Sequence, residues 1–265
     1  MKKIFFLFSI LPFLTGCSEE TAPLPEPSPV GGILSVRPQA ALSDGPQGAA
    51  EVPGQAAARA AGDIALTYTF EAWTRDAEPR CVLHKTADGT LTEAAIGIML
   101  VPGSYDFLFW ADYGKGHYTT DNLRQVSLAG VPYVPGNGRD AFAGKLKDVQ
   151  WNGGNGVSAT LKRPLAKLTM QNTTPFTEAK AVSVQYRGIP TRYDVLTGGT
   201  AAPQTMTLTF PNTTAGSDAV GEDFLFVPSD GRGVALVMTV GGVTRTLDPL
   251  ELGPNYKTSV TATFE

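Results

Sequence analysis

Apolar side chains alternate with polar or small ones along most of the chain beyond residue 63. Ile64, Leu66, Tyr68 and Phe70 alternate with Ala65, Thr67 and Thr69. A period of two held over seven residues predicts a half-buried strand. The same alternation returns at Val157/Ala159/Leu161, Ala166/Leu168/Met170, Val182/Val184/Tyr186 and Met206/Leu208/Phe210. It returns again at Val234/Leu236/Met238/Val240 and at Tyr256/Thr258/Val260/Ala262/Phe264. Gly241-Gly242, between Val240 and Val243, has the length and composition of a tight hairpin. In residues 105–110, Tyr105, Phe107 and Phe109 point one way and Asp106, Leu108 and Trp110 the other. A strand apolar on both faces belongs in the middle of a sheet. Helical periodicity is scarce; residues 120–124 carry one short turn, with Asp121 as its cap. Many short strands parted by turns predict an all-β protein of β-sandwich type. The length suits two sandwiches of about 100 residues, 63–165 and 166–265. Asp106-Phe107-Leu108-Phe109 recurs as Asp223-Phe224-Leu225-Phe226, a weak echo between the two halves.

The first 62 residues have a different character. Two lysines open the chain, residues 4–14 are apolar apart from Ser9 and Pro12, and Leu14-Thr15-Gly16-Cys17 follows. A charged start, a short apolar run and small residues before a cut read as a secretory signal, residues 1–17. The run is too short for a permanent membrane span, which needs about 20 residues. Cys directly after Leu-x-Gly resembles a bacterial lipobox, which implies acylation at Cys17. Ser18-Glu19-Glu20 resembles a surface-export tag. Residues 18–30 are rich in Pro and Glu and read as an extended tether. Residues 31–36 are predicted as a short strand, and residues 37–62 as a linker without apolar periodicity.

Composition narrows the function classes. Charged residues are 17 % and hydrophobic ones 42 %, with a formal net charge of -4. That is enough apolar material for a core, and the mild acidity argues against nucleic acid as a partner. Two His and two Cys leave little for a metal site, and no hydrolase, zincin, redox or phosphate-loop motif is present. No cofactor and no catalytic residue are assigned. With Cys17 acylated, Cys81 has no disulfide partner and is predicted as a small buried hydrophobe. Aromatic side chains bind sugars when exposed, so Trp110, Tyr113 and Tyr118 are the candidates for ligand contact. They support an alternative role as a glycan-binding lipoprotein that keeps its lipid.

Several segments together resemble the fimbrillin-like lipoproteins of Bacteroidales, the subunits of type V pili. They are the lipobox, residues 68–74, 106–114, 119–123, 139–142, 163–168, 193–195, 224–228 and 255–258. The resemblance implies two tandem transthyretin-like β-sandwiches and a non-enzymatic structural role in a surface fimbrium that supports adhesion. It also implies an assembly route. The lipoprotein reaches the outer membrane and cell surface, and an Arg-specific protease removes the lipid with the first strand. A strand from a neighbouring fimbrial subunit then fills the groove. On this chain the removable strand would lie in residues 31–40, with Ile33, Leu34 and Val36 as its apolar contacts. Arg59-Ala60 is the expected cleavage site, because Arg37 is followed by Pro38. Tyr256, Thr258, Val260, Ala262 and Phe264 form the expected donor strand. The implied partners are other fimbrial subunits, the protease, membrane lipid before processing, and a host glycan or protein receptor.

Overall fold

A computed structural model describes residues 27–44, 64–129 and 137–264. The strands are β1 (Val30–Pro38), β2 (Ser43–Asp44), β3 (Ala65–Thr74), β4 (Cys81–Thr90), β5 (Ala94–Leu100), β6 (Gly103–Asp112), β7 (Tyr118–Thr119) and β8 (Val126–Leu128). They continue with β9 (Ala141–Trp151), β10 (Gly154–Leu161), β11 (Leu165–Asn172), β12 (Val182–Tyr193), β13 (Thr200–Phe210), β14 (Ala219–Phe226), β15 (Val234–Val240), β16 (Val243–Leu250) and β17 (Tyr256–Ala262). Between them the described helical structure is two single 3-10 turns, Leu123–Gln125 and Asn137–Arg139. The protein is all-β.

The strands make four sheets, ordered β5-β1-β10, β4-β3-β6-β9, β14-β11-β17-β2 and β16-β15-β12-β8-β7, with β13 also on β12. The first two sheets enclose a core of Leu34, Val36, Tyr68, Phe70, Ile96, Phe107, Phe109, Trp151 and Leu161 among others. The last two enclose Leu168, Met170, Val184, Tyr186, Leu208, Leu236, Met238 and Phe264 among others. Alternation sends every second side chain inward, and each large one fully buried contributes about 1.5–3 kcal/mol.

A third cluster joins the two halves. Leu108 and Trp110 leave the outer face of β6 and meet Leu165, Phe224 and Phe226, with Tyr118 of β7, Leu123 of the first 3-10 turn and Val195 from the loop after β12. This is why β6 is apolar on both faces, as its sequence predicts. It also shows that the four-residue echo is not an equivalence. In β6 the two phenylalanines face their own core and Leu108 faces the junction. In β14 the pattern is reversed, with Leu225 in its own core and Phe224 and Phe226 at the junction.

Gly241 and Gly242 form the β15–β16 turn, with φ of 57° and 86°. Positive φ at both positions is what a type I′ hairpin requires. Two local expectations are corrected. The turn at Leu123–Gln125 is capped by Asn122, whose side chain accepts from the Arg124 amide at 2.9 Å, and not by Asp121. Cys81 is exposed, because β4 is an edge strand that presents much of its length to solvent.

Candidate assembly site

β1 is the middle strand of its sheet. It runs parallel to β10, from Gly32 opposite Gly154 to Pro38 opposite Leu161. It runs antiparallel to β5, from Val30 opposite Leu100 to Val36 opposite Ala94. Leu34 and Val36 are 1 % and 0 % exposed and sit in the first core. Ile33 is the correction. It is 48 % exposed, because alternation places it outward, opposite Gly97 on the outer face. Val30 packs against the core from the inward row, and its carbonyl accepts from Trp151 Nε1 at 3.3 Å.

Gly32 lies on the same inward row. A Cβ built there would stand 2.0 Å from the Gly154 carbonyl oxygen and 2.5 Å from Trp151 Cη2. Gly154 itself has φ of 91°, and Gly153 before it 83°. These left-handed glycines bring the β10 backbone in close, which leaves room at this step for a hydrogen atom only.

The chain leaving β1 is tied to both halves. Gln39 N donates to Leu161 O at 2.8 Å. The Ala40 carbonyl accepts from Arg163 Nη2 at 3.0 Å. Arg163 also reaches Asp140 and donates to Asn255 Oδ1 at 2.6 Å. β2 then pairs in parallel with the start of β17, Ser43 opposite Tyr256 and Asp44 opposite Lys257. Residues 30–44 therefore complete one sheet in the first half and cover the beginning of an edge in the second. Cys17, Arg59 and Ala60 lie outside the described residues.

β17 is built into its own sheet. It pairs in parallel with β11 from Lys257 to Ala262. Thr258 and Val260 are each 8 % exposed and Phe264 5 %, while Tyr256 at 39 % faces solvent. Ala262 packs against the second core. The Phe264 amide donates to Asn172 Oδ1 at 3.0 Å.

The aromatic ligand candidates are not a surface platform. Trp110 and Tyr118 are 0 % and 8 % exposed, in edge-to-face contact at 5.0 Å inside the junction. Trp110 Nε1 donates to Asp112 Oδ2 at 2.7 Å, and the Tyr118 hydroxyl donates to the Arg139 carbonyl. Both polar tips are satisfied internally, as buried Trp and Tyr require. Tyr113 is half-buried against the first core, and burial raises its phenol above the ordinary range.

Sequence reasoning missed the polar groups that fix this region. Glu71 is 1 % exposed and accepts from Trp73 Nε1 at 2.7 Å and from the Leu123 amide at 3.0 Å. Its other oxygen meets His84 Nδ1 at 3.0 Å. Asp223, 0 % exposed, accepts from the Tyr186 hydroxyl at 3.2 Å. The available signal was a charge inside an apolar run for Glu71 and one at the head of such a run for Asp223. Among the described residues no group of three or more His, Cys, Asp or Glu is placed to hold a metal ion.

The model of a family of unknown function (DUF6562) matches residues 36–264. The chain belongs to that family. Residues 1–18 match the model of the prokaryotic membrane lipoprotein lipid attachment site. No helix among the described residues is long and apolar enough to cross a membrane. No curated protein matches the chain. Among solved structures it is similar to the tip fimbrial protein Mfa3 of Porphyromonas gingivalis, solved with a C-terminal truncation. That match has 11% identity over 84% of this chain and 81% of that one, with a TM-score of 0.45. A candidate adhesin from Bacteroides ovatus aligns at 11% identity over 96% and 99%, TM-score 0.48. A candidate polysaccharide-binding protein (DUF1812) from Bacteroides thetaiotaomicron aligns at 11% over 78% and 75%, TM-score 0.48.

Proposed function

We propose that this lipoprotein is a structural, non-enzymatic subunit of a bacterial surface fimbria of the type V kind, supporting adhesion. In this reading it is carried to the outer membrane and cell surface by the lipid on Cys17. An Arg-specific protease cuts at Arg59-Ala60, β1 leaves with the lipid, and a strand of a neighbouring subunit takes its place. Residues 63–165 and 166–265 act as tandem transthyretin-like sandwiches, and residues 18–62 supply the tether and the removable strand. The partners are other fimbrial subunits, with a host glycan or protein as receptor.

The observation that carries the reading is the place of β1 between β5 and β10. An edge strand can leave and expose one row of backbone groups. A middle strand that leaves exposes two, together with the floor of the core, so the vacated slot strongly favours a replacement. Only Leu34 and Val36 of β1 are fully buried, and their burial contributes about 3–6 kcal/mol. Durable filling therefore depends on the two backbone ladders as well as on the side chains.

The test is the N-terminus and mass of the native protein, taken from cells with active surface proteases. A species beginning at Ala60, found in ladders that resist SDS, is the expected result. An acylated Cys17 start with no ladder would overturn polymerisation.

A further inference from the structure

The Gly32 step constrains what can occupy the slot. We infer that the slot is selective for a strand with glycine at the Trp151 step, and that this strand comes from a different subunit rather than from β17 of a second copy. The inference rests on the strand-exchange reading.

The inward row of β1 reads Gly32, Leu34, Val36, with a hydrogen atom, then two large aliphatics. The row of β17 that shares the core's parity is Tyr256, Thr258, Val260, Ala262 and Phe264, of which Tyr256 itself faces solvent. Every one of these carries a Cβ, in either strand direction and in any register. Ala262 is the smallest, and its Cβ is already the atom that would meet the Gly154 oxygen at 2.0 Å. That contact is with backbone, which cannot swing aside as a side-chain tip can. Gly253 precedes β17 on the opposite parity. Placing it at the Trp151 step would put Asn255 and Lys257 where Leu34 and Val36 are buried, which desolvates an amide and a charge.

Elsewhere in the chain the pattern Gly-x-aliphatic-x-aliphatic, with Val, Ile, Leu or Met as the aliphatics, occurs at residues 62–66 and 97–101. Leu66 is 2 % exposed in the first core as part of β3. Gly97 belongs to β5, which is a wall of the slot. Neither is available as a donor while the fold is intact. A partner subunit that presents Gly-x-aliphatic-x-aliphatic in an extended segment meets the demand.

The test uses the full chain, cut after Arg59 by an Arg-specific protease and held in mild urea so that β1 can exchange. Labelled peptides of residues 28–40 and 253–265 are followed by fluorescence anisotropy. The first is also made with Gly32→Ala and with Gly31→Ala. Gly31 faces outward, where an added Cβ would meet only ordinary contacts at 3.8 Å and beyond. The β1 peptide and its Gly31→Ala form are expected to bind alike. Gly32→Ala is expected to bind at least about tenfold more weakly, although alanine costs less chain entropy than glycine. The 253–265 peptide is expected not to bind. Equal binding by the Gly32→Ala peptide, or binding by 253–265, overturns the selectivity and leaves strand exchange standing. Failure of every peptide, β1 included, overturns strand exchange and the selectivity with it.

Discussion

The guanidinium of Arg163 grips the Asp140 carboxylate with two hydrogen bonds, Nε to Oδ1 at 2.6 Å and Nη2 to Oδ2 at 2.8 Å. Both residues are buried. Burial pushes the Asp140 carboxyl above its ordinary range, and the Arg163 charge pulls it back. The same guanidinium also holds the Ala40 carbonyl and Asn255 Oδ1. One side chain thus ties the exit of β1, the start of β9 and the approach to β17.

Removing one partner of such a pair leaves a buried charge without compensation. Arg163→Met is expected to destabilise the protein by about 3–5 kcal/mol, while Arg163→Met combined with Asp140→Leu recovers most of it. Arg163→Lys does not rescue, because an ammonium has no fork to match the carboxylate. Urea midpoints of the four proteins decide this. A double variant as unstable as Arg163→Met would remove the pair from the explanation.

The strands with clean alternation were legible because burial on one face writes a period of two into the sequence. β5 was not, although its burial alternates perfectly. Its outward residues Ala95, Gly97 and Met99 are as apolar or small as its inward ones, so no contrast marks the period. β4 was missed for a different reason: no residue of it is fully buried, and Lys85 interrupts the row on which Leu83 and Ala87 pack against the core, so no alternation marks it. At the assembly site, Leu34 and Val36 could be read from alternation, whereas Ile33 faces out because its parity is odd. Gly32 was legible only as part of the short strand predicted over residues 31–36. Its role depends on Trp151 and Gly154, more than 100 positions away, and no local pattern carries that.

Cys81 is exposed, yet its thiol is less ionised at neutral pH than an ordinary one. Partial burial and then the Glu71 carboxylate push it up to about 11, and Sγ lies 3.4 Å from the Leu83 carbonyl. The thiolate is the nucleophile, so the rate of modification follows the small ionised fraction. With Cys17→Ser, the rate with a disulfide reagent is expected to climb about tenfold per pH unit and to keep rising past pH ~9. A slope that bends near pH ~8.5 would show an ordinary thiol.

His117 makes stability depend on pH in one direction. Burial, then the neighbouring Arg139 charge, lower its pKa from 6.5, while Asp112 acts the other way. The folded protein therefore holds fewer protons at this site than the unfolded chain. Its contribution is fully present above pH 6.5 and is lost as pH falls through 6.5 toward the depressed folded value. His117→Gln removes this component. The drop in urea midpoint between about pH 7.5 and 5.5 is expected to be smaller in the variant than in the wild type. An equal drop would assign the pH dependence to other groups.

The hold on β1 separates by parity. Leu34 is 1 % exposed and Ile33 48 %. Truncating a buried leucine to alanine costs about 2–5 kcal/mol, through lost transfer energy and the cavity left behind. Truncating an exposed residue stays near 0.5 kcal/mol, on the order of an ordinary surface change. After cleavage at Arg59, nothing covalent retains the strand, so these differences fall directly on its release. Leu34→Ala is expected to shed β1 at a urea concentration where the wild type and Ile33→Ala both retain it, with mass spectrometry of the folded fraction as the readout. Equal release from the two variants would mean that the backbone ladders alone hold the strand. The inward side chains would then play no part in choosing what fills the slot.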